Sequence, residues 1–149
     1  MATLKGIYKP QFPQKYKGNP TRIVYRSSWE LKMMKYFDLS GNVVEWSSEE
    51  LWIPYRSPID GKVHRYFPDF KIRIRDKDGN VSTKLIEIKP RSQTIPPQPK
   101  TRGSKPTKRY LQEVATYGIN SSKWKSAVDY CSDRKWEFLI FTEKELGLK

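Results

Sequence analysis

A chain of 149 residues with 36% hydrophobic content, five Trp, nine Tyr and six Phe is sized for one domain around one core. Its 29 Lys and Arg against 16 Asp and Glu leave a formal charge of +13, well beyond the needs of solubility, and point to a polyanionic partner, best met by nucleic acid. No stretch approaches the roughly 18 to 20 apolar residues of a spanning helix and the N-terminus lacks a signal peptide's apolar core, so neither a membrane-spanning nor a secreted protein is expected, and the lone Cys131, which allows no internal disulfide, agrees with a reducing cytoplasm.

Residues 1–25 hold Pro10, Pro13 and Pro20 with Gly6 and Gly18 and read as an extended basic arm; residues 26–149 read as one folded domain. Ser27 and Glu30 have the spacing of a capping box and precede Leu31, Met33, Met34, Tyr36, Phe37 and Leu39, which predicts a helix over 28–39 that stops at Gly41. From Val43 the period becomes two. Strands are predicted over 43–46, 51–55, 63–66, 70–75 and 83–89, as a meander, with turns at 57–61 and 76–80. A basic, proline-rich loop at about 90–106 has a composition that cannot form regular helix or inner strand. Two helices follow, over 107–117 with Tyr110, Leu111, Val114 and Ala115 inward and Gly118 as stop, then over 120–131 with Trp124, Ala127 and Val128 inward. Residues 136–141 suit a strand buried on both faces, and Thr142 with Glu145 repeats the capping spacing for a short last helix. The order of helix, antiparallel strands, helix and strand predicts an α/β domain with a mixed sheet.

Charge is unevenly spread along this order. Residues 1–29 carry six Lys and Arg and no acid, and the stretch from Lys89 to Arg109, which includes Arg91, Lys100, Arg102, Lys105 and Lys108, has none either. These two segments are the expected contacts to a phosphate backbone, although the second also has the composition of a solvated linker.

Strand alternation in Lys84-Leu85-Ile86-Glu87-Ile88-Lys89 puts Leu85, Glu87 and Lys89 on one face. Asp69 opens the preceding strand, and the turn at 76–80 folds that strand back, so Asp69 is expected beside Glu87 and Lys89. A hard divalent cation such as Mg²⁺ takes one or two carboxylates and keeps waters and substrate phosphate in the rest of its shell. Asp69, Glu87 and the main-chain carbonyl of Ile88 are the candidate ligands. Such an ion acidifies water and neutralises phosphate charge, and Lys89 beside it is suited to orient the water or meet the developing negative charge. His64 reads as a surface residue and Cys131 as a small core residue.

Pro68-Asp69 followed by Glu87-x-Lys89 resembles the PD-(D/E)xK nuclease superfamily. The run of YRSSWE, FPDF, IEIKP and FLIFTE across about residues 22–146 is more closely similar to the head completion nucleases of T4-like tailed phages, and more loosely to TnsA-type transposon end nucleases and small phage junction-resolving endonucleases. The resemblance implies a restriction-endonuclease-like fold, a supporting carboxylate at Glu30 on the first helix, and a Mg²⁺-dependent deoxyribonuclease in which Mn²⁺ substitutes. It further implies action on packaged DNA during head completion, in the infected host's cytoplasm and with possible retention in the virion, beside portal or head-tail connector proteins. Arg26, Arg91, Lys105, Lys108, Lys123 and Lys125 are the candidate DNA contacts. Three alternatives stay open at this level: Glu30 as a cap alone, the whole chain as a non-catalytic DNA-binding connector or plug of the phage head, and a junction-resolving or transposon-end nuclease.

Overall fold

The computed structural model describes residues 4–99 and 105–148; Lys100 and Arg102 of the basic loop lie outside the described residues. Strands β1 (Gly6–Tyr8) and β2 (Ile23–Tyr25) form a small antiparallel pair, α1 (Ser28–Leu39) follows, and β3 (Val43–Ser48) leads to the hairpin of β4 (Ile53–Arg56) and β5 (Val63–Tyr66). Next come β6 (Phe70–Arg75), β7 (Val81–Ile88), the long α2 (Lys108–Asp133) and β8 (Glu137–Phe141). A four-stranded sheet in the order β3-β6-β7-β8 is the frame, antiparallel up to β7 and parallel between β7 and β8. The expected α/β class and mixed, restriction-endonuclease-like sheet are therefore present.

Alternation along the strands divides the interior into two cores. Phe70, Ile72, Ile86 and Ile88 face α1, where Met33, Met34 and Phe37 meet Trp46 and the N-terminal residues Tyr8, Tyr16 and Ile23. On the other face Leu85 packs with Ala127 and Cys131 of α2 and with Ile53, Tyr55 and Tyr66 of the hairpin. The segment before α1 is held by Asp38, a fully buried carboxylate that accepts hydrogen bonds from Tyr8 Oη at 2.6 Å, Gln11 N at 2.7 Å and Phe12 N at 3.0 Å. Three donors from one segment on one acid turn a proline-rich run into part of the core.

The structure corrects several expectations. The meander is interrupted, because β4 and β5 leave the main sheet as a separate hairpin and β6 returns to pair with β3. The two predicted helices are one: Gly118 does not take a positive φ, and it lies against Pro58, whose Cγ would be 3.7 Å from a Cβ built there, so the turn between β4 and β5 supports the helix through the glycine. With that continuous helix the inward face changes; Leu111, Val114 and Val128 are exposed while Asn120, Ala127 and Cys131 are buried. β8 is an edge strand, half-buried along Phe138–Phe141, since no strand pairs beyond it among the described residues. The last helix does not form. Glu145 accepts from Thr142 N at 2.7 Å and Thr142 Oγ1 from Lys144 N at 3.3 Å, but Gly147 with φ +72° turns the chain out after a single turn.

Candidate active site

The site lies where β6 begins and β7 ends. Carrying the register of the Phe70–Ile86 pair one step outward sets Asp69 opposite Glu87, on the face that looks toward α2. Asp69 also takes the place of a ladder acceptor, its Oδ2 receiving Ile88 N–H at 2.7 Å. This bond ties the acid to the main chain of Ile88, the residue whose carbonyl, one peptide further on, was a candidate ligand. Glu87 is buried, 6% exposed, whereas Asp69 is half-buried. The Tyr66 hydroxyl donates to Glu87 Oε1 at 2.9 Å, and Lys89 Nζ is 3.7 Å from Oε2. Lys89 continues the parallel pairing through its N–H to Phe141 O at 3.0 Å, which holds it beside Glu87 just beyond β7.

Electrostatics in this corner are adverse to two negative charges. Desolvation, then the charge of Glu87, hold the Asp69 carboxyl well above its usual range; the Ile88 N–H and Lys89 oppose that, and Glu30 adds to it. Glu87 is raised by burial, against the pull of Lys89, the Tyr66 hydroxyl and Lys123. Burial followed by the Glu87 charge pushes the Tyr66 phenol far up, so that it remains a hydrogen-bond donor. A pair of acids that the fold itself discourages from ionising is suited to a bound cation, which restores both charges.

Glu30 caps the first helix, and it acts on Asp69 of the acid pair through its charge rather than by contact. Ser27 Oγ accepts Glu30 N–H at 3.1 Å and donates to Glu30 Oε2 at 3.2 Å, so the local cap is real. Burial raises the Glu30 carboxyl, Ser27 and the Arg26 main chain lower it, and its charge is felt at Asp69. Arg26, exposed, binds Glu49 Oε2 at 2.5 Å and is held charged by Glu49 first, with smaller contributions from Glu30 and Asp69. Glu49 was not singled out by sequence. It is half-buried with φ +53°, a left-handed conformation unusual for a side-chain-bearing residue, and donates its N–H to Asp69 O at 3.2 Å.

Among the other basic candidates, Lys123 comes to the site: half-buried on α2, its Nζ is 5.7 Å from the ring centres of both Tyr55 and Tyr66, and it lowers Glu87. Lys125, two residues on, is exposed on the opposite side of the helix. Lys105 and Lys108 are exposed at the start of α2, with Lys108 about 22 Å from Lys123 along the axis at 1.5 Å per residue. Arg91 is exposed in a 3-10 turn and donates its N–H to Glu143 Oε1 at 2.7 Å. His64 is exposed, paired with Asp60 at 2.8 Å and set beside the Tyr55 ring at 5.8 Å, and Cys131 is buried in the core. Tyr66 was also missed by sequence reading, for nothing local shows that the end of β5 lies against the end of β7.

The oxygen donors of Asp69 and Glu87, half-buried and buried beside the Lys89 ammonium, fit a hard divalent ion. Among the described residues no three His, Cys, Asp or Glu side chains converge as a ready cage, so the protein would supply a partial shell, with Glu30 standing outside the pair.

The sequence matches the family described as TnsA-like endonuclease N terminal over residues 40–143, a span that contains Asp69, Glu87 and Lys89 and begins after Glu30. It is similar to the head completion nuclease of Enterobacteria phage T4, with 36% identity over 148 residues, 97% of this chain and 96% of that protein. Nucleases of this type generally use divalent metals. The family match covers most of the chain, the relative aligns nearly end to end, and both agree with the sheet and its acidic corner: the chain belongs to the TnsA-like endonuclease family, nucleases of the PD-(D/E)xK type.

Proposed function

We propose that the protein is a Mg²⁺-dependent deoxyribonuclease, with Mn²⁺ able to substitute, that processes packaged phage DNA as the head is completed and before the tail attaches. The observation that carries this reading is the opposition of Asp69 and Glu87 across β6 and β7 with Lys89 Nζ 3.7 Å from Glu87. Asp69, Glu87 and the Ile88 carbonyl would hold the ion; once bound, it supplies an acidified water and charge neutralisation on the phosphate. Lys89 offers its ammonium hydrogens to the attacking water or to the phosphate oxygens. Glu30 is the supporting carboxylate at the start of α1. Lys123 and Arg26, from opposite sides, attract the flanking phosphates, and Lys105, Lys108, Arg91 and Lys125 extend the positive surface along the strand. The name of the phage T4 relative supports a place in head completion; the infected host's cytoplasm and the assembling particle, with portal or connector proteins as neighbours, are the setting that we propose with it.

A cleavage assay tests this directly. The purified protein is incubated with linear and supercoiled DNA in Mg²⁺, Mn²⁺ or EDTA, beside an Asp69→Asn variant. Metal-dependent cutting that the variant lacks is expected; DNA retention with no cutting in any metal would leave a connector and remove the enzyme. Branched and transposon-end substrates in the same assay separate packaged-DNA processing from junction or end specificity.

A further inference from the structure

Each acid of the pair has one oxygen already engaged by the protein. Glu87 Oε1 receives the Tyr66 hydroxyl at 2.9 Å, and Asp69 Oδ2 receives the Ile88 N–H at 2.7 Å. The remaining Glu87 oxygen, Oε2, is the one that faces Lys89. Tyr66 cannot easily yield. It is 3% exposed, packed in the core with Leu85, Ala127 and Cys131, so the ring holds its hydroxyl oxygen in place beside Glu87.

We propose that Tyr66 is a positioning residue that commits Glu87 to present a single oxygen, Oε2, to the divalent ion, and that it thereby biases the site toward Mg²⁺ and Mn²⁺ over Ca²⁺. The inference rests on the reading of Asp69 and Glu87 as ligands. Small octahedral ions at about 2.0–2.1 Å accept one oxygen from each of one or two carboxylates and keep their waters. Ca²⁺ takes six to eight oxygens at about 2.3–2.6 Å and gains from a bidentate carboxylate. A buried phenol holding Oε1 opposes the second mode and not the first. Partners that orient a ligating group in this way typically alter metal affinity about 10–100-fold when removed.

The test is Mn²⁺ and Ca²⁺ binding, read by electron paramagnetic resonance and titration calorimetry without DNA, on the full chain and on Tyr66→Phe, Tyr55→Phe and Asp69→Asn. Tyr66→Phe keeps the ring and loses the donor; it should weaken Mn²⁺ at least about tenfold and leave Ca²⁺ unchanged or tighter, so the preference for Mn²⁺ falls by at least the same factor. Tyr55→Phe alters the other ring beneath Lys123, which makes no hydrogen bond to Glu87 among the described residues, and should change neither affinity. Unchanged Mn²⁺ affinity in Tyr66→Phe, or an equal loss in Tyr55→Phe, overturns the role of the hydroxyl. Failure of the ligand reading looks different: the unaltered protein binds no Mn²⁺, or Asp69→Asn binds it equally well. One measurement needs no variant at Tyr66. The infrared difference spectrum of the Mn²⁺-loaded against the metal-free protein should show the widely split carboxylate stretches of single-oxygen ligation, and the narrow pair of bidentate ligation overturns the proposal.

Discussion

Replacing Asp69 by Asn should make the metal-free protein more stable while abolishing its ion binding. The register places Asp69 directly opposite Glu87, a position in which Cβ atoms lie about 4.5–5.5 Å apart. Two unit charges at about 5 Å with an effective dielectric constant of about 20 repel by roughly 3 kcal/mol. Lys89 and Lys123 offset part of this at Glu87, so a net gain of about 2 kcal/mol is expected for the variant. Asn keeps an oxygen able to accept the Ile88 N–H, so the local bond survives. The sign with pH follows from the raised Asp69 carboxyl. Below the unfolded-state value both states carry the proton and variant and parent are alike. As pH rises past it the unfolded chain releases its proton first, and the parent loses stability until the folded carboxyl also ionises, at up to about 1.4 kcal/mol per pH unit. The assay is thermal and urea unfolding of EDTA-treated proteins from pH 4 to pH 8. A gain that grows with pH and reaches about 4–8 °C in Tm at neutral pH is expected, given about 2–4 °C per kcal/mol for a chain of this size. Mn²⁺ should then stabilise the parent alone. A variant that is less stable at every pH would show that Asp69 serves the fold and that the acidic corner carries no stored repulsion.

Gly118→Ala should stabilise by about 0.5–1 kcal/mol, because the residue is helical and the new methyl would meet only Pro58 Cγ at an ordinary 3.7 Å; destabilisation in urea titration would mean that the helix breaks there. Asp38→Ala leaves the Tyr8 hydroxyl and two main-chain N–H groups without their acceptor and should cost about 3–5 kcal/mol, with residues 4–16 losing hydrogen-exchange protection first; a loss below about 1 kcal/mol would refute the clasp. In DNA binding with Ca²⁺ or EDTA present, Arg26→Ala and Lys123→Ala should each lower the slope of log affinity against log salt by about one, uniformly across sequences; an unchanged slope removes that residue from the phosphate contacts. Ser27→Ala should lose about 1 kcal/mol of stability through the vacated cap at Glu30 N–H, read as a Tm drop of about 2–4 °C.

Local chemistry was enough for much of this protein. The period of two from Val43, the Ser27 cap and the α1 apolar face, and the turn at Asp76–Asn80 are short-range consequences of side-chain spacing and hydrogen bonding, and they place Asp69 beside Glu87 because one hairpin connects them. What the tertiary structure decided is everything that depends on segments far apart in the chain. Gly118 is a helix stop by composition and a helix interior by packing on Pro58; the residues of α2 that face inward shift accordingly, since a continuous helix has one rotational phase where two would have had separate ones. The hairpin of β4 and β5 leaves the sheet and carries Tyr66 to Glu87, and α2 brings Lys123 to the same corner. Strand and helix periods state which face a side chain takes, but the partner across that face is set by how layers close on one another. That is why the acids and the lysine beside them were readable in order along the chain, and the phenol that orients one of them was not.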